Sequence, residues 1–157
     1  MTENKLSELQ LKKISVEIKK FFNFLIANWN CMLAQEEVNR HGLFISYKNQ
    51  TTGIKVSYEP MEGGLFVQLS KLISGDFPKY NIQISPETKV LTFDLLDLLA
   101  IHGESQYSSS KQGVEASVRE ASQSLEKTGA KILGGDFTEL LSIEHRVKKR
   151  SAENSGK

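Results

Sequence analysis

Histidine is the side chain best suited to proton transfer near neutral pH and to metal binding, and this chain has three, His41, His102 and His145. They are scattered, and none has a carboxylate or second histidine at ligand spacing on an expected helix. A metal centre needs convergent donors, so none is expected. His102 has the most reactive neighbours, because Glu104 and Ser105 follow it where a leucine-rich segment gives way to a loop. An enzyme with a site assembled around His102 and Glu104 is therefore one reading, although a triad is made by geometry and not by closeness in sequence. Asp94 and Asp97 have the types needed for paired general acid–base work. At a helix start, a cap and a partner for the positive helix end account for both. Gly63-Gly64 and Gly134-Gly135 lack the glycine spacing of a phosphate cradle. The one cysteine, Cys31, permits neither an intramolecular disulfide nor a thiolate zinc cage. The expectation is a non-enzyme with no catalytic residue, no metal and no cofactor.

Charge gives a second kind of candidate. His145-Arg146-Val147-Lys148-Lys149-Arg150 is a basic run in which Arg146, Lys148, Lys149 and Arg150 could neutralise phosphates. The same cations suit the C-terminal end of a helix, and no aromatic residues interleave with them as a single-strand platform requires. Across the chain, 20 basic side chains face 19 acidic ones, a formal net charge of +1. No broad field favours nucleic acid or an anionic membrane. Nucleic acid is not the expected partner on this reading, and a nucleic-acid-associated regulator is the alternative function.

The elements that position these residues follow from hydrophobic pattern. The 157 residues, 39% apolar and 25% charged, are enough for one domain with its own core. Leu11, Ile14, Ile18, Phe21, Phe22, Leu25 and Trp29 recur at helical spacing, which predicts one long amphipathic helix beginning near Leu6. Cys31 to Ala34 reads as a short edge strand and Gln35 to Gly42 as a polar connection. From Leu43 to Leu72 apolar and polar residues alternate, interrupted by two turn signals, which predicts a three-stranded antiparallel meander. One face collects Leu43, Ile45, Tyr47, Ile54, Val56, Tyr58, Leu65, Val67 and Leu69. The other carries Phe44, Lys55, Ser57, Glu59 and Phe66. Gly53 and Gly63-Gly64 are expected to supply the positive φ of the turns.

Ile82 and Ile84 suggest a brief fourth strand. Asp94 is expected to cap a short, buried helix of Leu95, Leu96, Leu98, Leu99 and Ile101. Gly103 to Gly113 reads as a flexible loop, and Val114 to Leu133 as a helix turning Val118, Ala121, Leu125 and Ile132 inward. Asp136 is then expected to cap a last helix whose apolar residues are Phe137, Leu140, Leu141 and Val147. Residues 1–150 read as a single domain and 151–157 as a disordered tail. The N-terminus is unlike a signal peptide, and the most apolar window, Phe21 to Trp29, falls short of the roughly 20 residues that span a bilayer. A cytoplasmic protein without membrane contact is expected, in which the sequon at Asn49-Gln50-Thr51 stays idle.

Several of these segments resemble a group of small, mostly uncharacterised bacterial α+β proteins. The resemblance is carried by Tyr47, by Thr52-Gly53-Ile54-Lys55-Val56-Ser57-Tyr58-Glu59-Pro60, and by Glu62-Gly63-Gly64 leading into Phe66-Val67-Gln68-Leu69. It continues in Phe93-Asp94-Leu95-Leu96-Asp97-Leu98-Leu99-Ala100 and in Ile132-Leu133-Gly134-Gly135-Asp136-Phe137. Some similar proteins are encoded near toxins of inter-bacterial competition and serve as immunity factors. The resemblance implies an immunity-type antitoxin that blocks a partner toxin, and it carries no site residue over to this chain.

The expected fold is α+β, with an antiparallel meander of about four strands packed against a long N-terminal helix and a helical C-terminal half. The expected function is binding of a protein partner through Phe44, Lys55, Ser57, Glu59, Glu62 and Phe66 on the polar sheet face and its second turn.

Overall fold

In a computed structural model, residues 8–62, 64–79, 87–107 and 113–155 are described. The fold is α+β: a five-stranded antiparallel sheet in the order β1-β2-β3-β4-β5, with helices packed on one face. The strands are β1 (Met32–Asn39), β2 (Gly42–Lys48), β3 (Thr52–Glu59), β4 (Gly64–Lys71) and β5 (Thr92–Asp94). The helices are α1 (Glu8–Phe21), α2 (Phe24–Trp29), α3 (Leu95–Ile101), α4 (Val114–Thr128), α5 (Ala130–Leu133) and α6 (Leu140–Ser155).

The meander forms in the expected register. Ile45 pairs with Val56 and Val56 with Val67, so alternate residues of three strands meet on one face. Leu43, Ile45, Tyr47, Ile54, Val56, Leu65, Val67 and Leu69 are all buried there, at about 1.5–3 kcal/mol of transfer free energy for each large aliphatic side chain. Ile18 from α1, Phe22 from the turn after it, Leu95, Leu98 and Leu99 from α3, and Val118, Ala121 and Leu125 from α4 close the core over them.

Several expectations need correction. The segment Gln35–Asn39 is not a connection but the greater part of β1, an eight-residue edge strand paired along β2 with a register shift between Leu33 and Gln35. Its inward positions include Glu36, which escaped the alternation because its partners are polar: Ser15 Oγ donates to it at 2.6 Å and Lys19 Nζ lies at 2.9 Å. The long N-terminal helix is two helices. At Phe22-Asn23 the bonding tightens to Leu25 N–H donating to Phe22 O, and Asn30, left-handed at φ 58°, ends α2 by donating to Leu25 O. Gly53 has no positive φ. It lies inside β3 beneath the Phe77 ring, where a Cβ would overlap the ring carbons, whereas Gly64 does sit at φ 110°. Leu141 faces solvent at 76% exposure, because the inward stripe of α6 is Leu140, Ile143 and Val147.

Asp94 caps α3 as expected, its carboxylate accepting from Leu96 N–H at 2.8 Å. Asp136 instead accepts from Thr138 N–H in a turn that precedes α6, and that bond holds its carboxyl below the ordinary range. Gly129 separates α4 from α5 within the expected single helix, and α6 continues through Ser155 into the stretch read as a tail. The expected strand at Ile82 and Ile84, Gly63, and Ser108 to Gln112 of the loop lie outside the described residues.

Candidate interaction face

The face of the sheet turned away from the helices follows from the same two-residue period that builds the core. Phe44 pairs with Ser57 and Ser57 with Phe66, while Glu37 pairs with Phe44 from β1. These four residues form one row across four strands. A second row runs Gln35, Ser46, Lys55, Gln68 and Asp94. Phe44 and Phe66 are half-buried, and neither belongs to the core cluster nor packs against it. Ser57, flanked by the two rings, is buried, and its hydroxyl donates to Glu59 Oε2 at 3.2 Å.

Acidic groups lie at the end of the face nearest this row. Glu37 is held by Asn39 Nδ2 at 2.8 Å, Glu59 ends β3, and Glu62 is exposed on the 3-10 turn Pro60–Glu62 that follows. Lys55 is exposed in the second row. Gly42, at φ 147°, lets the β1–β2 hairpin close against β3, because a Cβ there would overlap the Tyr58 carbonyl oxygen. The other end of the face is covered: Phe77 lies over Gly53, and Lys48 Nζ donates to Gly75 O at 3.3 Å. Of the six residues expected to bind a partner, register puts Phe44, Lys55, Ser57, Glu59 and Phe66 on this face, and Glu62 lies on the turn after β3.

The basic run is arranged differently. Asp97, with its side chain 2% exposed, receives Arg146 Nε at 3.2 Å on Oδ1 and a two-pronged Arg150 at 2.7 and 3.2 Å. That carboxylate raises the Arg150 pKa further. Burial is the main reason that the Asp94 carboxyl is raised, with the neighbouring Asp97 charge adding to it. Lys148 pairs with Glu144 at 2.8 Å, so of the four candidate phosphate ligands two bind an internal carboxylate and a third pairs along its own helix. The role of Asp97 as a helix-to-helix anchor went unread. The signal was present: an acid inside the apolar run Leu95-Leu96-Asp97-Leu98-Leu99 needs a cation when buried, and Arg146 and Arg150 are spaced four apart on one helix face.

His102 and Glu104 do not converge. His102 Nε2 lies 2.6 Å from Glu139 Oε2, while Glu104 pairs with Lys127 at 3.3 Å. His41 is exposed in the β1–β2 hairpin, and His145 is exposed on α6. Cys31 is buried, which pushes its thiol up to about 11. Among the described residues no group of three metal-ligating side chains comes together, and no helix is long and apolar enough to cross a membrane. Compared with protein families, curated proteins and solved structures, the chain matches none.

Proposed function

We propose that the chain is a non-enzymatic protein-binding protein that docks its partner on the outer face of the sheet, and that it acts in the cytoplasm as an immunity-type antitoxin masking a toxin. The observation that carries the binding reading is the row Glu37, Phe44, Ser57 and Phe66. Two aromatic rings flank Ser57 in one row across three strands, outside the core, with Glu37 next in the row. Aromatic anchors ringed by polar groups are the usual centre of a binding patch. With Glu37, Glu59 and Glu62 around them, the complementary surface is basic. The antitoxin part of the reading rests on the resemblance of the strand and helix segments to immunity factors.

The test is capture of the tagged chain at native expression in its own host, followed by identification of bound material. One stoichiometric basic protein is expected. It should be lost with Phe44→Ala or Phe66→Ala and kept with Leu141→Ala, an exposed apolar residue on α6. Capture of nucleic acid that depends on Lys149 would replace this reading with the basic-helix alternative. Capture indifferent to both phenylalanines would remove the outer face as the docking surface.

A further inference from the structure

A second site lies at the far end of the molecule, where α2, the β2–β3 turn and α5 meet. Asn49 joins the three. Its Nδ2 donates to Trp29 O and to Leu133 O, each at 3.0 Å, and its Oδ1 accepts from Thr51 N–H and Thr52 N–H at 3.0 and 2.9 Å. Thr52 Oγ1 donates to Ile132 O at 2.6 Å, tying the turn to α5 once more. The fastened elements line an open surface pocket of about 310 Å³, at the small end of the range for small-molecule sites.

Its lining is unusual in chemistry. Asn28, Asn30 and Gln50 line it together with a half-buried Trp29, and no charged residue is among the described lining residues. Asn49 spends its amide on the framework. The side chains of Asn28, Asn30 and Gln50 make no hydrogen bond to any described residue, and all three are exposed. Gly134 adjoins the indole edge, at a φ of −85° that any residue adopts.

We propose that this cavity is a binding site for a neutral carbohydrate. A pyranose has one apolar face and a rim of hydroxyls, each both donor and acceptor. The indole offers one flat apolar surface, and every amide offers a donor and an acceptor. A phosphorylated or carboxylated ligand would find no cation here. A nucleobase would want a second aromatic ring to stack on, and Trp29 is the one aromatic residue among the described lining residues.

Trp29 is the only tryptophan of the chain, so its emission reports on this cavity directly. The full chain is titrated with glucose, galactose, mannose and N-acetylglucosamine, and with adenosine as the planar competitor. A saturable change in Trp29 fluorescence with at least one sugar and none with adenosine is expected. Affinity should fall about tenfold with Gln50→Ala, the loss of one good hydrogen-bonding group. It should fall similarly with Asn30→Gly, which keeps the left-handed backbone, and should vanish with Gly134→Leu, which fills the cavity at a permissive φ. Circular dichroism of each variant distinguishes a lost site from a lost fold. No saturable response to any of the four sugars, a response to adenosine instead, or sugar binding unchanged in folded Gln50→Ala, Asn30→Gly and Gly134→Leu proteins would each overturn the proposal.

Discussion

The two faces of the sheet are built by the same strands and the same alternation, yet they have opposite physical characters. On the inner face, Ile45, Val56 and Val67 meet in register and are fully buried beneath the helical layer. One residue along, Phe44, Ser57 and Phe66 meet in register with no helix of the described residues above them. Hydrophobicity alone does not separate the faces, since phenylalanine is as apolar as isoleucine. What separates them is the company each row keeps. Inner rows are continued by apolar helix stripes, and outer rows by Glu37, Lys55, Gln68 and Glu59. The inner face stabilises the fold, and among the described residues the outer rows carry no helix.

Adjacent substitutions test that division most sharply. Ile45→Ala should cost about 2–5 kcal/mol of unfolding free energy by chemical denaturation, and Phe44→Ala less than about 1.5 kcal/mol. Equal costs would mean that the outer face is core as well. Gly53→Ala probes the covered end of the outer face, where the new methyl group must displace Phe77. A loss of about 1–3 kcal/mol is expected, and Gly53→Ala with Phe77→Ala should recover part of it in a double-mutant cycle.

The helical layer behind the inner face admits a charge only under guard. Arg146→Met with Arg150→Met strands the Asp97 carboxylate in the core. Because the guanidinium side chains are 46% and 52% exposed, the expected cost is about 1–3 kcal/mol and not the larger penalty of a fully buried pair. Asp97→Asn in that double variant should restore most of it.

Tyr47 is the inner face's own polar exception. Its hydroxyl is buried with no hydrogen-bond partner among the described residues, and burial, with the Glu36 and Cys31 charges adding, pushes its pKa up to about 12. Tyr47→Phe removes that unpaired group and should raise stability by about 1 kcal/mol. A loss instead would reveal a partner for the hydroxyl.

The smallest effect belongs to Glu36, at the rim where the two faces meet. The Ser15 hydrogen bond, then Lys19, holds its carboxyl below the ordinary value of 4.5. The unfolded chain then binds more protons in the acid range, so this contribution is present above about pH 4.5 and disappears as pH falls through the lower folded value. The melting-temperature gap between the parent and Glu36→Gln should be widest near neutrality and close on acidification.

These contrasts also explain what could be read from residue order. Alternation identified the inner face of β2, β3 and β4 because a sheet flanked by apolar helices writes its burial into every second residue. It failed at β1, where the edge position leaves almost every side chain exposed and the inward Glu36 answers to Ser15 and Lys19, residues distant in sequence. Nothing at Phe22-Asn23 marks the helix break, since no glycine or proline is there and the apolar stripe runs on unbroken into α2. The outer-face candidates were legible as positions opposite the core, and register placed them together. The buried acid in the α3 run was legible as needing a cation, but its pairing with α6 and the pocket at Trp29 were not, because each is assembled from segments that only tertiary structure brings into contact.

The order β1-β2-β3-β4 is also the order of synthesis, and that shapes how the molecule acquires its shape. Each of β2, β3 and β4 pairs with its immediate predecessor across a connection no longer than that between Glu59 and Gly64. Such hairpins close on microsecond timescales with little loop entropy to overcome. β5 must instead return across the whole stretch from Lys71 to Thr92, and it carries α3 with it. The meander can thus zip progressively as a nucleus, with the β5–α3 unit arriving afterwards and the Arg146 and Arg150 anchor to Asp97 closing last. In kinetic terms, Val56→Ala should slow folding, whereas breaking the anchor should mainly hasten unfolding.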